Sequence, residues 1–149
     1  MSGATITFDL DVAGLRPLVS ALDDQALGDI MYGVGQLVEN QTKERIATEK
    51  RAPGGEPWAP WSADYAATRR GAQSLLVSDN NLLTSIQNYT RGLTAEVGSN
   101  LVYAAIHQFG GAGAGKPGLP ARPYLGLSSG NEDEIRDLVI DVIREAILQ

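Results

Sequence analysis

Leu27, Ile30, Met31, Val34, Leu37, Val38 and Ile46 recur at three- and four-residue steps. This spacing constrains the chain more than any other feature. It predicts one amphipathic helix over about residues 24–48, roughly 36 Å long at 1.5 Å per residue. Lys43, Glu44, Arg45 and Glu49 are assigned to its wet side. Gly33 and Gly35 each weaken such a helix by ~1 kcal/mol relative to alanine, so a close neighbour such as a second helix is expected there. A helix this long in a chain of 149 residues must be the spine of one compact domain, 1–149.

The rest of the chain reads in shorter pieces. Thr5 to Asp11 alternates polar and apolar, with Ile6, Phe8 and Leu10 on one face, and predicts a half-buried strand. Leu15, Leu18, Val19 and Leu22 fit a short helix with Pro17 in its first turn. RAPGGEPWAPW, residues 51–61, is too rich in proline and glycine for a regular element. Its Trp58 and Trp61 either plug the edge of the core or anchor a partner. Ser62 is placed as the cap of a helix running to about Arg70, and Asp79-Asn80-Asn81 as a turn or cap. Ile86–Tyr89 and Leu93–Val97 form a β-hairpin around Thr90-Arg91-Gly92.

Tyr103–Phe109 is a short helix stopped by Gly110-Gly111. Glycine then dominates residues 110–118, and Leu119–Leu125 is held extended by Pro120 and Pro123. Residues 110–126 are therefore expected as an extended loop or arm, flexible at one end and stiff at the other. A final helix starts at an Asn131 cap, with Glu134 three positions on, and carries an apolar stripe from Ile135 to Ile147. The fold class is α+β: a small antiparallel sheet, from strands near 4–11, 85–90 and 93–98 with a further one near 123–127, packed against the long helix and the C-terminal helix.

Chemistry is sparse. The chain has no cysteine and one histidine, His107, so no zinc-ligand spacing can be written and no metal or cofactor is expected. No G-x-S-x-G elbow exists, and GGAGAGKPG lacks the spacing of a phosphate loop. His107 is read as a helix-packed imidazole whose ring nitrogens find a carbonyl or another polar group. No apolar stretch approaches the ~20 residues of a membrane helix, and the N-terminus carries no signal-peptide pattern, so a cytoplasmic protein, or one built into an assembly made there, is expected. The net charge is -6, concentrated at both ends of the chain. A nucleic-acid binder usually carries a strong basic field, and only a local face of Lys43, Arg45, Lys50, Arg51, Arg69 and Arg70 offers one here.

Several of these pieces, taken in order, resemble a known family. Gly54-Gly55 ahead of Trp58-Ala59-Pro60 is similar to its G-x-x-W-x-P segment. Val97-Gly98-Ser99, then Tyr103-Ala104 with His107-Gln108-Phe109-Gly110-Gly111, then Pro120-Ala121-Arg122-Pro123-Tyr124-Leu125-Gly126, resemble the rest of its pattern. Trp61 stands where the pattern has leucine, and Asp79-Asn80 where it has Ser-Gly. The family is the phage virion morphogenesis group, the tail completion proteins of Mu-like and P2-like contractile-tailed phages.

The resemblance implies a non-enzymatic structural protein of the virion, assembled in the host cytoplasm and acting at the head-proximal end of the tail. It implies that the protein ends tube and sheath growth and helps the tail join the head. The implied partners are its own copies in a ring, commonly of six, together with tail tube, sheath and neck or connector proteins, with no membrane and no cofactor. Trp58, Trp61, His107, Gln108, Phe109, Arg122, Pro123 and Tyr124 are the interface candidates, and Arg122 is expected to pair with a carboxylate of a neighbouring subunit or of its own fold. Two other classes stand beside this reading: a tail-associated hydrolase using His107 and a carboxylate, and a DNA-contacting head–tail joining protein using residues 43–70.

Overall fold

The computed structural model of the chain describes residues 3–9, 22–68, 74–77 and 81–148. Most of the short helix read over Leu15–Leu22 lies outside these residues, as do Leu10, Asp11, Arg69, Arg70 and Asp79-Asn80.

Strand β1 (Ala4–Asp9) leads by way of residues 10–23 to the long helix α1 (Asp24–Glu44), which continues through a π-helical turn, Arg45–Glu49. Short helices α2 (Ala63–Ala66) and α3 (Asn81–Ser85) precede the hairpin of β2 (Gln87–Arg91) and β3 (Thr94–Ser99). Helix α4 (Ala104–Phe109), a 3-10 turn (Ala112–Ala114) and the C-terminal helix α5 (Ser129–Leu148) complete the chain. The fold is α+β. Its three strands form one antiparallel sheet of order β1-β3-β2. No helix among the described residues is long and apolar enough to cross a membrane.

α1 begins where Asp23 accepts a hydrogen bond from Ala26 N at 2.8 Å. It ends where Lys50 turns left-handed (φ 56°) and its N–H bonds Arg45 O. Its apolar stripe, Ile30, Val34, Val38 and Ile46, lies in one buried cluster with Val97 of β3 and Val139 and Ile143 of α5. The two glycines expected to mark a close neighbour do so on different sides. A Cβ on Gly33 would touch Leu138 of α5 at 3.6 Å, and one on Gly35 would press Asn88 Oδ1 of β2 at 3.1 Å.

Three expectations are corrected. The hairpin turns at Gly92-Leu93, one residue later than read, because Arg91 still pairs with Thr94. Gly92 alone takes a positive φ there, as a type II′ turn demands of its first central residue. α5 starts at Ser129, and Asn131 lies inside it: Ser128 Oγ accepts from Asn131 N and Asn131 Oδ1 from Ser128 N, each at 3.0 Å, so a reciprocal capping box replaces the simple cap. Residues 123–127 form no strand. The Gln108 side chain stands in for a strand partner, accepting from Tyr124 N (3.0 Å) and Leu125 N (2.9 Å) and donating to Leu125 O (3.3 Å).

Arg45, assigned to the wet side of α1, is 1% exposed. Its Nη1 donates to Tyr124 O (2.8 Å) and Gly126 O (3.2 Å), and its Nη2 to Asn131 Oδ1. Arg45→Ala takes the guanidinium donor from the Tyr124 and Gly126 carbonyls and leaves Asn131 Oδ1 with Ser128 N alone. It should lower the unfolding free energy by about 3 kcal/mol or more, read as a lower urea midpoint at unchanged m-value. Glycines offer a contrasting pair. A Cβ on Gly98 would lie 2.2 Å from Ala4 O, so Gly98→Ala must push β1 off β3 and lower the melting temperature sharply. Gly28 has nothing within 4 Å of its Cβ position, so Gly28→Ala should stabilise α1 by up to about 1 kcal/mol.

Candidate functional site

The structure sorts the eight interface candidates into inner and outer sets. Trp58 (5% exposed) and Tyr124 (0%) belong to the core. Trp58 Nε1 donates to Pro123 O at 2.7 Å, and Tyr124 Oη donates to Ala104 O at 2.8 Å. Burial pushes the Tyr124 phenol well up, so it stays a proton donor at any physiological pH. Gln108 is spent on the 124–125 backbone. Arg122 is 8% exposed and within its own fold meets carbonyls: its Nε donates to Ala59 O (2.8 Å) and an Nη to Pro60 O (3.1 Å).

The ordered motifs are therefore joints. The W-x-P segment is fastened through Trp58 and Arg122, and Tyr124 fastens the P-A-R-P-Y-L-G run to α4. Ser99 of V-G-S bonds Ser85 Oγ at 2.7 Å. The 110–126 segment closes on itself and on α4, with Gly111 N on Leu119 O (3.0 Å), Lys116 N on Gly111 O (2.7 Å) and Arg122 N on His107 O (2.7 Å).

Phe109, by contrast, is 74% exposed at the end of α4, and Val102 just ahead of that helix is 73% exposed. Trp61 and His107 are half-buried and line one groove of about 720 Å³. Its walls include Trp61 set edge-on to Tyr65 (5.7 Å between centroids), Tyr103 set edge-on to His107 (5.6 Å), Leu76, Leu119 and Pro120, with Arg122 among them. Among the described residues the His107 ring has no hydrogen-bond partner, and its ring contact is with Tyr103. Burial, and next the Arg122 charge, hold its pKa below the usual 6.5.

No Asp or Glu appears among the described residues lining the groove, so the hydrolase arrangement of His107 with a carboxylate has no carboxylate there. No group of three or more metal-ligating side chains occurs among the described residues. Of the basic face read over 43–70, Arg51 is exposed and Arg69 and Arg70 lie outside the described residues, while the other three are engaged within the fold. Arg45 is buried, Lys43 pairs with Glu39 at 3.2 Å, and Lys50 Nζ is held by Ile46 O (2.6 Å), Leu75 O (2.7 Å) and Ser74 Oγ (3.0 Å).

Fixed joints beneath an open aromatic groove are the makings of a structural protein, built to hold a shape and to be held. The chain belongs to the phage virion morphogenesis family, whose model matches residues 13–144. It is similar to protein G of Escherichia phage Mu, whose name assigns it provisionally to capsid assembly, at 30% identity over 97% of this chain and all of the relative. It is also similar to the Mu-like prophage FluMu G protein 2 of Haemophilus influenzae, at 47% identity over 67% of this chain and 70% of the relative. No solved structure matches it. It is a structural protein of phage tail and virion morphogenesis.

With one histidine, the imidazole Hε1 resonance needs no assignment among rivals. It should titrate below pH 6.5 in the folded chain, and Arg122→Gln should move it part of the way back up. Because the folded pKa is the depressed one, stability from this group is full above about 6.5 and declines as the pH falls through the folded pKa.

Proposed function

We propose that the protein completes the head-proximal end of a phage tail as a homo-oligomeric ring, stopping tube and sheath growth and presenting a surface to neck proteins, without turnover of any substrate. The family match over residues 13–144 carries this reading. The Mu relative's name speaks of capsid assembly, and a tail end that joins the head lies next to the capsid. Ring subunits need unlike surfaces that meet head to tail. The exposed Val102 and Phe109 and the Trp61–His107 groove supply two apolar surfaces suited to such contacts.

The test is native mass by light scattering over a concentration series, with negative-stain images, alone and with purified tube protein. Discrete rings near six subunits, alone or on tube ends, are expected. A chain that stays monomeric and leaves tube length unchanged would overturn the reading. Phe109→Ser should weaken ring formation or tube capping at least tenfold. It should change the stability by no more than about 0.5 kcal/mol, since the side chain is already in water.

A further inference from the structure

We propose that the groove beside α4 seats a carboxylate-bearing segment of a partner virion protein, an Asp or Glu flanked by apolar side chains, with Arg122 as the carboxylate's receptor. The proposal rests on the assembly reading above and names the chemistry of what that surface holds.

Three observations lead to it. The first is an unspent charge. Arg122 is 8% exposed as a residue and lines the groove, and its hydrogen bonds go to two neutral carbonyls through Nε and one Nη. The other Nη makes none, and no carboxylate pairs with it among the described residues. A guanidinium edge left over at an apolar groove suits a carboxylate, whose two oxygens match its fork. The His107 ring, also without a hydrogen-bond partner among the described residues, lines the same groove and offers a second donor.

The second is a strained wall. Leu76 takes a left-handed φ of 61°, a conformation unfavourable for a non-glycine residue. The tight turn that imposes it is closed by Ser74 N to Val77 O (2.8 Å) and clamped by Lys50 Nζ on Leu75 O. This wall is set before any partner arrives. The third is charge complementarity on an apolar ground. Leu76, Leu119, Tyr103 and Trp61 surround the one guanidinium with apolar surface, and the described lining holds no acid. The volume, about 720 Å³, suits several side chains more than a lone ion.

The probes are two blocked tripeptides, acetyl-Leu-Asp-Phe-amide and its Asn counterpart, titrated into the full-length chain by NMR. The Asp peptide should bind at least tenfold tighter, shifting the imidazole Hε1 signal and the Trp61 indole N–H while the Trp58 indole stays in place. Arg122→Gln should reduce the preference to under twofold. Should that variant fail to fold, Leu119→Glu serves: position 119 is 42% exposed, and its new carboxylate would occupy Arg122 and abolish the preference. Equal binding of the two peptides, or an Asp preference surviving either substitution, overturns the proposal. So does absence of peptide binding with self-association that Leu119→Glu abolishes, which would assign the groove to a second copy. Rings or capped tubes without peptide preference would refute this inference alone, whereas peptide preference without either would refute the tail-end reading alone.

Discussion

One guanidinium holds the two halves of this molecule together. Arg45 leaves the last turns of α1 and reaches backbone carbonyls of Tyr124 and Gly126 and the side chain of Asn131. Burial lowers its pKa, and Glu49 partly offsets this, but an arginine stays charged. Neutral acceptors solvate that charge in place of water. The arrangement fixes the exit of α1, the proline-bounded segment and the start of α5 at one point, and Asn131 serves both the capping box and the guanidinium. Apolar burial in the cluster below supplies the bulk of the driving force, and Arg45 sets the relative positions of the pieces.

Around that point the motifs act as couplings between segments distant in sequence. Gln108 is the clearest case. A side-chain amide carries the same donor and acceptor as a peptide group, so one glutamine on a short helix satisfies two backbone N–H groups and a carbonyl of a segment that two prolines keep out of the sheet. Trp58 and Arg122 do the same for the 51–61 loop. The side chains that the sequence pattern marks most strongly are mostly consumed inside. Phe109, Val102 and the groove rim stay open to solvent.

Much of the architecture was legible in the sequence because it rests on periodicity. The stripe from Leu27 to Ile46 gave α1 within a few residues, and the alternation around Val97 gave the hairpin. Arg45 was misplaced by chemistry overriding phase. Val38, Gln41, Thr42 and Arg45 continue the buried stripe at three- and four-residue steps, so the phase pointed inward while the polar identity suggested water. The 123–127 segment was misread because extended backbone implies a strand only when a strand lies beside it. Arg122's carbonyl partners and the left-handed Leu76 depend on contacts across many residues, and no local pattern encodes them. For the interface candidates, the sequence could not separate those that fasten the fold from those that face outward.

The pairing pattern also sets a timetable. β1 is made first, yet its register partner begins with Ala4 against Ser99, and Arg45 waits for acceptors 79 to 86 positions further on. Residues up to Ser99 must therefore leave the ribosome before the sheet can close, and residues up to Asn131 before the Arg45 junction can, and such long-range closure is slow. A chain cut before residue 122 has neither the acceptors of Arg45 nor Arg122 itself, so the junction and the groove's cation are completed late and together.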